Sequence, residues 1–123
     1  MTHRPERELV RGRVVLVELD PHRGAEQGKT RPAVIVSNDG ANAAAARSDY
    51  GVITVVPLTS NVRTIRPYQA LIPRDRSGLP VDSKAQTEQV RSISTERVVN
   101  AIGWLDAELM AEVDEALRVH LSL

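Results

Sequence analysis

At 123 residues and 13.5 kDa the chain is long enough for one ordinary hydrophobic core and too short for two. Its 41% hydrophobic and 26% charged residues exclude a disordered or collagen-like chain. The absence of cysteine excludes thiol nucleophiles, Cys-ligated zinc and a disulfide framework.

The net charge of zero is unevenly spread. Residues 1–104 carry 15 Lys+Arg against 11 Asp+Glu, whereas residues 105–123 carry Arg118 against five acids. Fourteen of the 16 basic residues are arginine, whose planar fork suits bidentate contacts to phosphate. No apolar run reaches the roughly 18 residues of a membrane span, and the charged start lacks the apolar core of a signal peptide. A cytoplasmic protein without a membrane partner is the expectation.

Residues 1–12 read as a charged, flexible arm ending at Gly12, with one domain over residues 13–123. RVVLVEL, Arg13 to Leu19, is a β-branched and aliphatic run and reads as a strand. Pro21, Gly24 and Gly28 make the next eleven residues a loop, longer than most connections. PAVIVS, Pro32 to Ser37, is the second strand; Pro32 has no N–H to donate and sits at the strand's mouth, with Arg31 extended before it. A turn with a short helical piece over the alanines follows, and then the third strand, Gly51 to Thr59.

Ser60 to Pro67 is a second polar loop bearing Arg63 and Arg66. Weaker strands are expected at Tyr68 to Ile72, across Lys84 to Ile93, and briefly at Ala101 to Gly103, with a turn near Thr95 to Arg97. Ala107 to His120 is a helix, N-capped by Asp106, whose apolar stripe is Leu109, Val113, Ala116, Leu117 and Leu121. Several short strands closed by one terminal helix predict a small, strongly curved β-barrel or half-barrel.

The chemistry-bearing residues gather at two loops. His3, His22 and His120 have no spacing that makes them converge, no cluster has metal-ligand spacing, and no Walker-type phosphate loop occurs. Neither metal nor cofactor is therefore expected. What remains is Glu26, Gln27, Lys29, Thr30 and Arg31 before the second strand, and Thr59, Ser60, Asn61, Arg63 and Arg66 at the end of the third. If the two strands end at one rim, this set suits a phosphodiester: arginine takes charge on phosphoryl oxygens, a hydroxyl donates a hydrogen bond, a carboxylate accepts a proton. A plain rim ion pair from Arg31 to Glu26 or Asp39 is the structural alternative.

The motifs RGRVVLVELDPHRGAEQGKTRPAVIVSND, VITVVPLTSN, EQVRSIS and LDAELMAEVDEALRVHL, in this order from about Arg11 to the C-terminus, resemble the MazF/PemK family of toxins. The resemblance implies an SH3-like curved barrel of the MazF/PemK/CcdB type, mainly β with a C-terminal helix. It further implies a homodimer and a metal-independent, sequence-specific endoribonuclease that cuts single-stranded RNA to leave 2′,3′-cyclic phosphate and 5′-hydroxyl ends. The implied partner is an antitoxin with an acidic, disordered C-terminal segment.

Carried over residue by residue, the arginine of the family's RP motif falls on Arg31 and the threonine ending its third strand on Thr59, the implied catalytic pair, with Glu26 the candidate base. Gln27, Lys29, Thr30, Ser60, Asn61, Arg63, Arg66 and Gln89 are the expected RNA contacts, and Glu88 to Arg91 fall on a segment that in relatives lies near RNA or the dimer seam. With no Phe, and only Tyr50, Tyr68 and Trp104 aromatic, base stacking is not the dominant source of RNA affinity. The rival readings are a gyrase-binding, CcdB-like toxin without nuclease activity and a catalytically silent SH3-like module.

Overall fold

The computed structural model describes residues 8–19 and 30–123. Seven strands, β1 (Arg13–Glu18), β2 (Thr30–Ile35), β3 (Val52–Thr59), β4 (Gln69–Ile72), β5 (Ser83–Gln86), β6 (Arg91–Ser94) and β7 (Val98–Trp104), are joined by helix α1 (Asp39–Ala46) and followed by helix α2 (Ala107–Leu121). The strands run β4-β5-β3-β2-β1-β7 in one curved antiparallel sheet, with β6 also paired to β3.

The central strands are apolar almost without alternation because both of their faces are covered. Successive side chains point to opposite faces, so Val34, Val56 and Leu58 join Leu109, Met110 and Val113 of α2 in one core. Ala33, Ile35 and Val55 join Val15, Val17, Leu19 and Ile93 in a second core, closed by Ala45 of α1. Asn38 caps α1 by accepting the Ala41 N–H at 2.8 Å, which lets the alanine run beyond it form a helix. None of the described helices is long and apolar enough to cross a membrane.

Several sequence expectations are corrected. The arm expected to reach Gly12 gives way sooner to packed structure, since Leu9 packs on the second core and the Gly12 N–H bonds Ile35 O at 2.9 Å. Arg11 extends this attachment by donating to Val36 O at 3.0 Å and pairing with Asp114 on α2.

The single strand expected over Lys84 to Ile93 is split. β5 lies beside the end of β3 and β6 beside its start, with a 3₁₀ turn, Thr87–Gln89, between them. Thr87 is buried and its hydroxyl donates to Tyr68 O, which pulls the chain out of the ladder where β3 carries Pro57, a residue with no N–H to offer. In α2, Met110 takes a core place, while Leu121, assigned to the stripe, lies in the last turn and is 48% exposed. The brief strand expected at Ala101 to Gly103 runs longer, as β7.

The start of α2 carries a titratable brace. Asp106 accepts the Leu109 N–H at 2.8 Å, and Arg76 reaches Asp106 at 3.3 Å and Glu108 at 2.6 Å. The Leu109 N–H is the main reason the Asp106 carboxyl titrates below its ordinary value; partial desolvation opposes this and Arg76 adds to it. A carboxyl lowered in the folded state stabilises fully above its unfolded value, and loses that contribution as pH falls through the folded one. Asp106→Asn keeps a capping side chain without the charge, so its stability advantage or deficit against wild type should change below about pH 4. Urea titrations at neutral pH and in acid measure this, and a constant difference between the two proteins would remove Asp106 from the acid response.

Candidate active site

The mouth of β2 and the end of β3 are brought together by register. Ile35 faces Val55, Val34 faces Val56 and Ala33 faces Pro57, where the ladder stops. Two residues beyond the last pair on each strand stand Arg31 and Thr59, where the register, if continued, would set them opposite one another on the face of Ala33 and Pro57. Pro32 ends the β2–β3 hydrogen bonding while β1 still holds Arg31 across from Val17. The two strands thus part at their ends and leave a space between them.

That space is a cleft of about 380 Å³ lined by Leu19, Arg31, Pro57, Thr59, Gln86, Gln89 and Arg91. Gln86 ends β5, Gln89 ends the 3₁₀ turn and Arg91 begins β6, so the break in the expected long strand delivers three of the seven lining residues. Among the described residues two guanidinium groups and no carboxylate line the cleft, which makes that lining positive. Among the described residues the Arg31 side chain has no hydrogen-bond or ion-pair partner, and Asp39, one partner considered for it, is bonded instead by the Arg11 backbone N–H at 2.7 Å. Two like charges in one small space favour an anion between them.

Thr59 is half-buried, and its Oγ1 accepts the Asn61 backbone N–H at 3.2 Å. With that acceptor position used, its hydroxyl proton is free to donate. The Asn61 side chain in turn accepts the Arg63 N–H at 3.3 Å, which folds the polar loop back over the end of β3.

Several expected residues lie elsewhere. Thr30 is exposed and pairs with Glu18 in the β1–β2 ladder, outside the cleft. Ser60, Asn61, Arg63 and Arg66 do not line it; they form the exposed loop beside it, where Lys84 Nζ bonds Thr64 O at 2.7 Å. Glu26, Gln27 and Lys29, like His3 and His22, fall outside the described residues. His120, on α2, has its ring centroid 6.2 Å from that of Tyr68 and does not line the cleft. Among the described residues no three His, Asp or Glu side chains gather as a metal site.

Sequence reasoning misses Gln86 and, as a member of the cleft itself, Arg91. The EQVR motif holds the signal for Arg91, but only the 3₁₀ turn sends Glu88 away from the cleft while Gln89 and Arg91 line it.

The family model for PemK-like, MazF-like toxins of type II toxin–antitoxin systems matches residues 10–121. The chain belongs to this family. It is 54% identical over 113 residues to the endoribonuclease MazF9 of Mycobacterium tuberculosis, covering 92% of this chain and 96% of that protein. It is 34% identical over 114 residues to the endoribonuclease EndoA of Bacillus subtilis, covering 92% and 94%. Among solved structures, the MazF of Deinococcus radiodurans superposes with a TM-score of 0.71 at 25% identity, covering 93% of this chain and 96% of that one. The MazE–MazF complex from the same organism gives 0.74 at 24% identity, with 93% and 96% covered. The curved, mainly β fold with a C-terminal helix, expected from the strand pattern, and its MazF type, implied by the resemblance, are what is observed, and the sheet remains unclosed. In this MazF-family chain the cleft lies at the ends of the two motifs, TRPAVI and VITVVPLT, that carry the resemblance.

Proposed function

We propose that this chain is the toxin of a type II toxin–antitoxin pair and an endoribonuclease that cleaves single-stranded RNA within the Arg31–Thr59 cleft. The observation that carries the reading is that Arg31 and Thr59 share one cleft beyond the open end of the β2–β3 ladder, with a second arginine and no acid among the described lining residues. Such a cleft accepts a phosphodiester and the extra negative charge that builds on it during cleavage. The names of the curated relatives, both endoribonucleases, support the same reading.

In the proposed reaction the RNA's 2′-oxygen attacks the adjacent phosphorus, the 2′-oxygen–phosphorus bond forms and the bond to the 5′-oxygen breaks. The products are a 2′,3′-cyclic phosphate and a 5′-hydroxyl. Arg31 offers two N–H groups to the non-bridging oxygens and Thr59 offers its O–H. Arg31 acts by charge rather than as a base, because a guanidinium does not give up its proton in proteins. Glu26 is the proposed acceptor of the 2′-hydroxyl proton, and the departing 5′-oxygen takes a proton from solvent. Arg91 is placed to hold a neighbouring phosphate, and the amides of Gln86 and Gln89 to bond base or sugar edges.

Because the arginines take the charge that a metal ion would otherwise take, cleavage is expected to persist in EDTA. It is also expected to stop when the nucleotide 5′ to the scissile phosphate is 2′-deoxy. A matched pair of oligonucleotides differing only at that sugar tests the scheme; cleavage of the deoxy substrate, or loss of activity on chelation alone, would overturn it.

Arg63, Arg66 and Thr30 on the exposed rim, with Gln27, Lys29, Ser60 and Asn61, are proposed to contact the flanking RNA. The solved relatives include a MazE–MazF complex and an endoribonuclease bound to its cognate antitoxin. For this chain we place an acidic antitoxin segment on the same arginine rim, competing with RNA, and read the working form as a cytoplasmic homodimer.

A further inference from the structure

We propose that Gln69 and Glu88 form a brace that sets the distance between the cleft and the arginine loop, making both positioning residues for the substrate. The inference rests on the endoribonuclease reading above. Neither side chain lines the cleft, yet each is one step from a residue that does.

The connections form a chain. Glu88 Oε2 accepts from Gln69 Nε2 at 2.9 Å, and Gln69 Oε1 accepts the Arg66 backbone N–H at 3.0 Å. The Gln69 backbone N–H donates to Arg66 O at 2.9 Å, so the loop's end is held twice by one residue. Gln69 stands directly across the β4–β5 ladder from Gln86, a cleft residue, and Glu88 precedes Gln89, another. A second strut runs from Lys84, which faces Thr59 in the β3–β5 register, to Thr64 O at 2.7 Å. The loop carrying Arg63 and Arg66 is thereby tied to the strand ends that carry Thr59, Gln86 and Gln89.

The choice of a carboxylate at residue 88 has a cost and a use. Its Oε1 is buried and has no partner among the described residues, which a neutral side chain would suffer less from. A carboxylate, however, can only accept hydrogen bonds. It forces the Gln69 amide to turn its nitrogen toward Glu88 and so its oxygen toward Arg66. The amide cannot flip without placing oxygen against oxygen, and the loop is held in one place.

A loop out of place should weaken binding of RNA segments that span both the cleft and Arg63 or Arg66, leaving chemistry on bound substrate intact. Gln69→Glu sets two carboxylates together and is expected to raise KM for an RNA of about ten nucleotides on the order of tenfold. Its kcat should stay within about threefold of wild type. The swap Gln69→Glu with Glu88→Gln is expected to restore KM, because the new amide at 88 donates to the new carboxylate, which still accepts the Arg66 N–H.

Gln69→Met removes both side-chain bonds without adding charge and should show the KM defect too, which covers the case in which two carboxylates prevent folding. An unchanged KM in the Met variant, a swap that rescues nothing, or a fall in kcat alone would sink the brace. A wild-type protein that leaves RNA intact sinks the parent reading instead, so the two failures are told apart by the control lane.

Discussion

Arg31→Ala is expected to lower the rate of RNA cleavage by about two to three orders of magnitude, the usual consequence of removing one preorganised donor from a developing oxyanion. Folding should be untouched. The side chain is exposed and makes no bond to other described residues, so stability should stay within about 0.5 kcal/mol of wild type.

Arg31→Lys keeps a positive charge but loses the planar fork, and should recover only part of the rate. Thr59→Val preserves shape and removes the donated hydrogen bond; a loss of about tenfold to a hundredfold is expected, smaller than for Arg31 because the lost donor is neutral. Single-turnover cleavage of a labelled RNA, with enzyme in excess, reads all three. An Arg31→Ala protein within about threefold of wild type would remove Arg31 from the cleavage reaction.

The second large effect is on stability. Gly51 is buried where the connection from α1 enters β3, and a Cβ built on it would lie 2.2 Å from Ala45 O and 2.7 Å from Ala45 Cα. All three of the nearest atoms are backbone, so no side chain can turn aside to make room. Gly51 O also accepts the Thr95 N–H at 3.0 Å, which ties the start of β3 to the turn after β6.

Gly51→Ala should therefore separate α1 from β3 and lower stability by about 2–4 kcal/mol, within the range for overpacked sites and their extremes. Denaturant midpoints measure it. The catalytic end of β3, at Thr59, is a full strand length away, so below its melting range the variant should retain cleavage. A midpoint unchanged from wild type would mean that α1 shifts at no cost.

Part of the candidate site is legible in the sequence. Arg31 and Thr59 belong to two motifs far apart in the chain, each with an apolar strand attached to a polar end, and both line the cleft beyond the β2–β3 ladder. Gln86 carries no such signal, because nothing local distinguishes a glutamine at the end of a strand from one on a solvated edge. Adjacency groups Glu88 with Gln89 and Arg91, yet it bonds Gln69 instead. Adjacent residues in a turn point in different directions, and which of them meets the cleft depends on where the turn is anchored.

By itself the sequence determined the local features: the apolar character of strands β1, β2 and β3, the Asp106 cap and length of α2, and the surplus of arginine, whereas β2 begins at Thr30, two residues before the proline expected to open it. Each depends on neighbours a few residues away, through side-chain periodicity, capping or a missing N–H. Only the tertiary structure decided that residues 8–12 pack, that the Lys84 to Ile93 run breaks in two, that Leu121 stays outside the core, and that Gln86 and Arg91 complete the cleft. Those outcomes depend on β3 holding two different partners along one edge and on Thr87 bonding to Tyr68, contacts between segments distant in the chain. The stretch TRPAVIVSND divides in the same way: its proline, lacking an N–H, is legible in the sequence, while the meeting of Arg31 and Thr59 in one cleft beyond the β2–β3 ladder is decided by the fold.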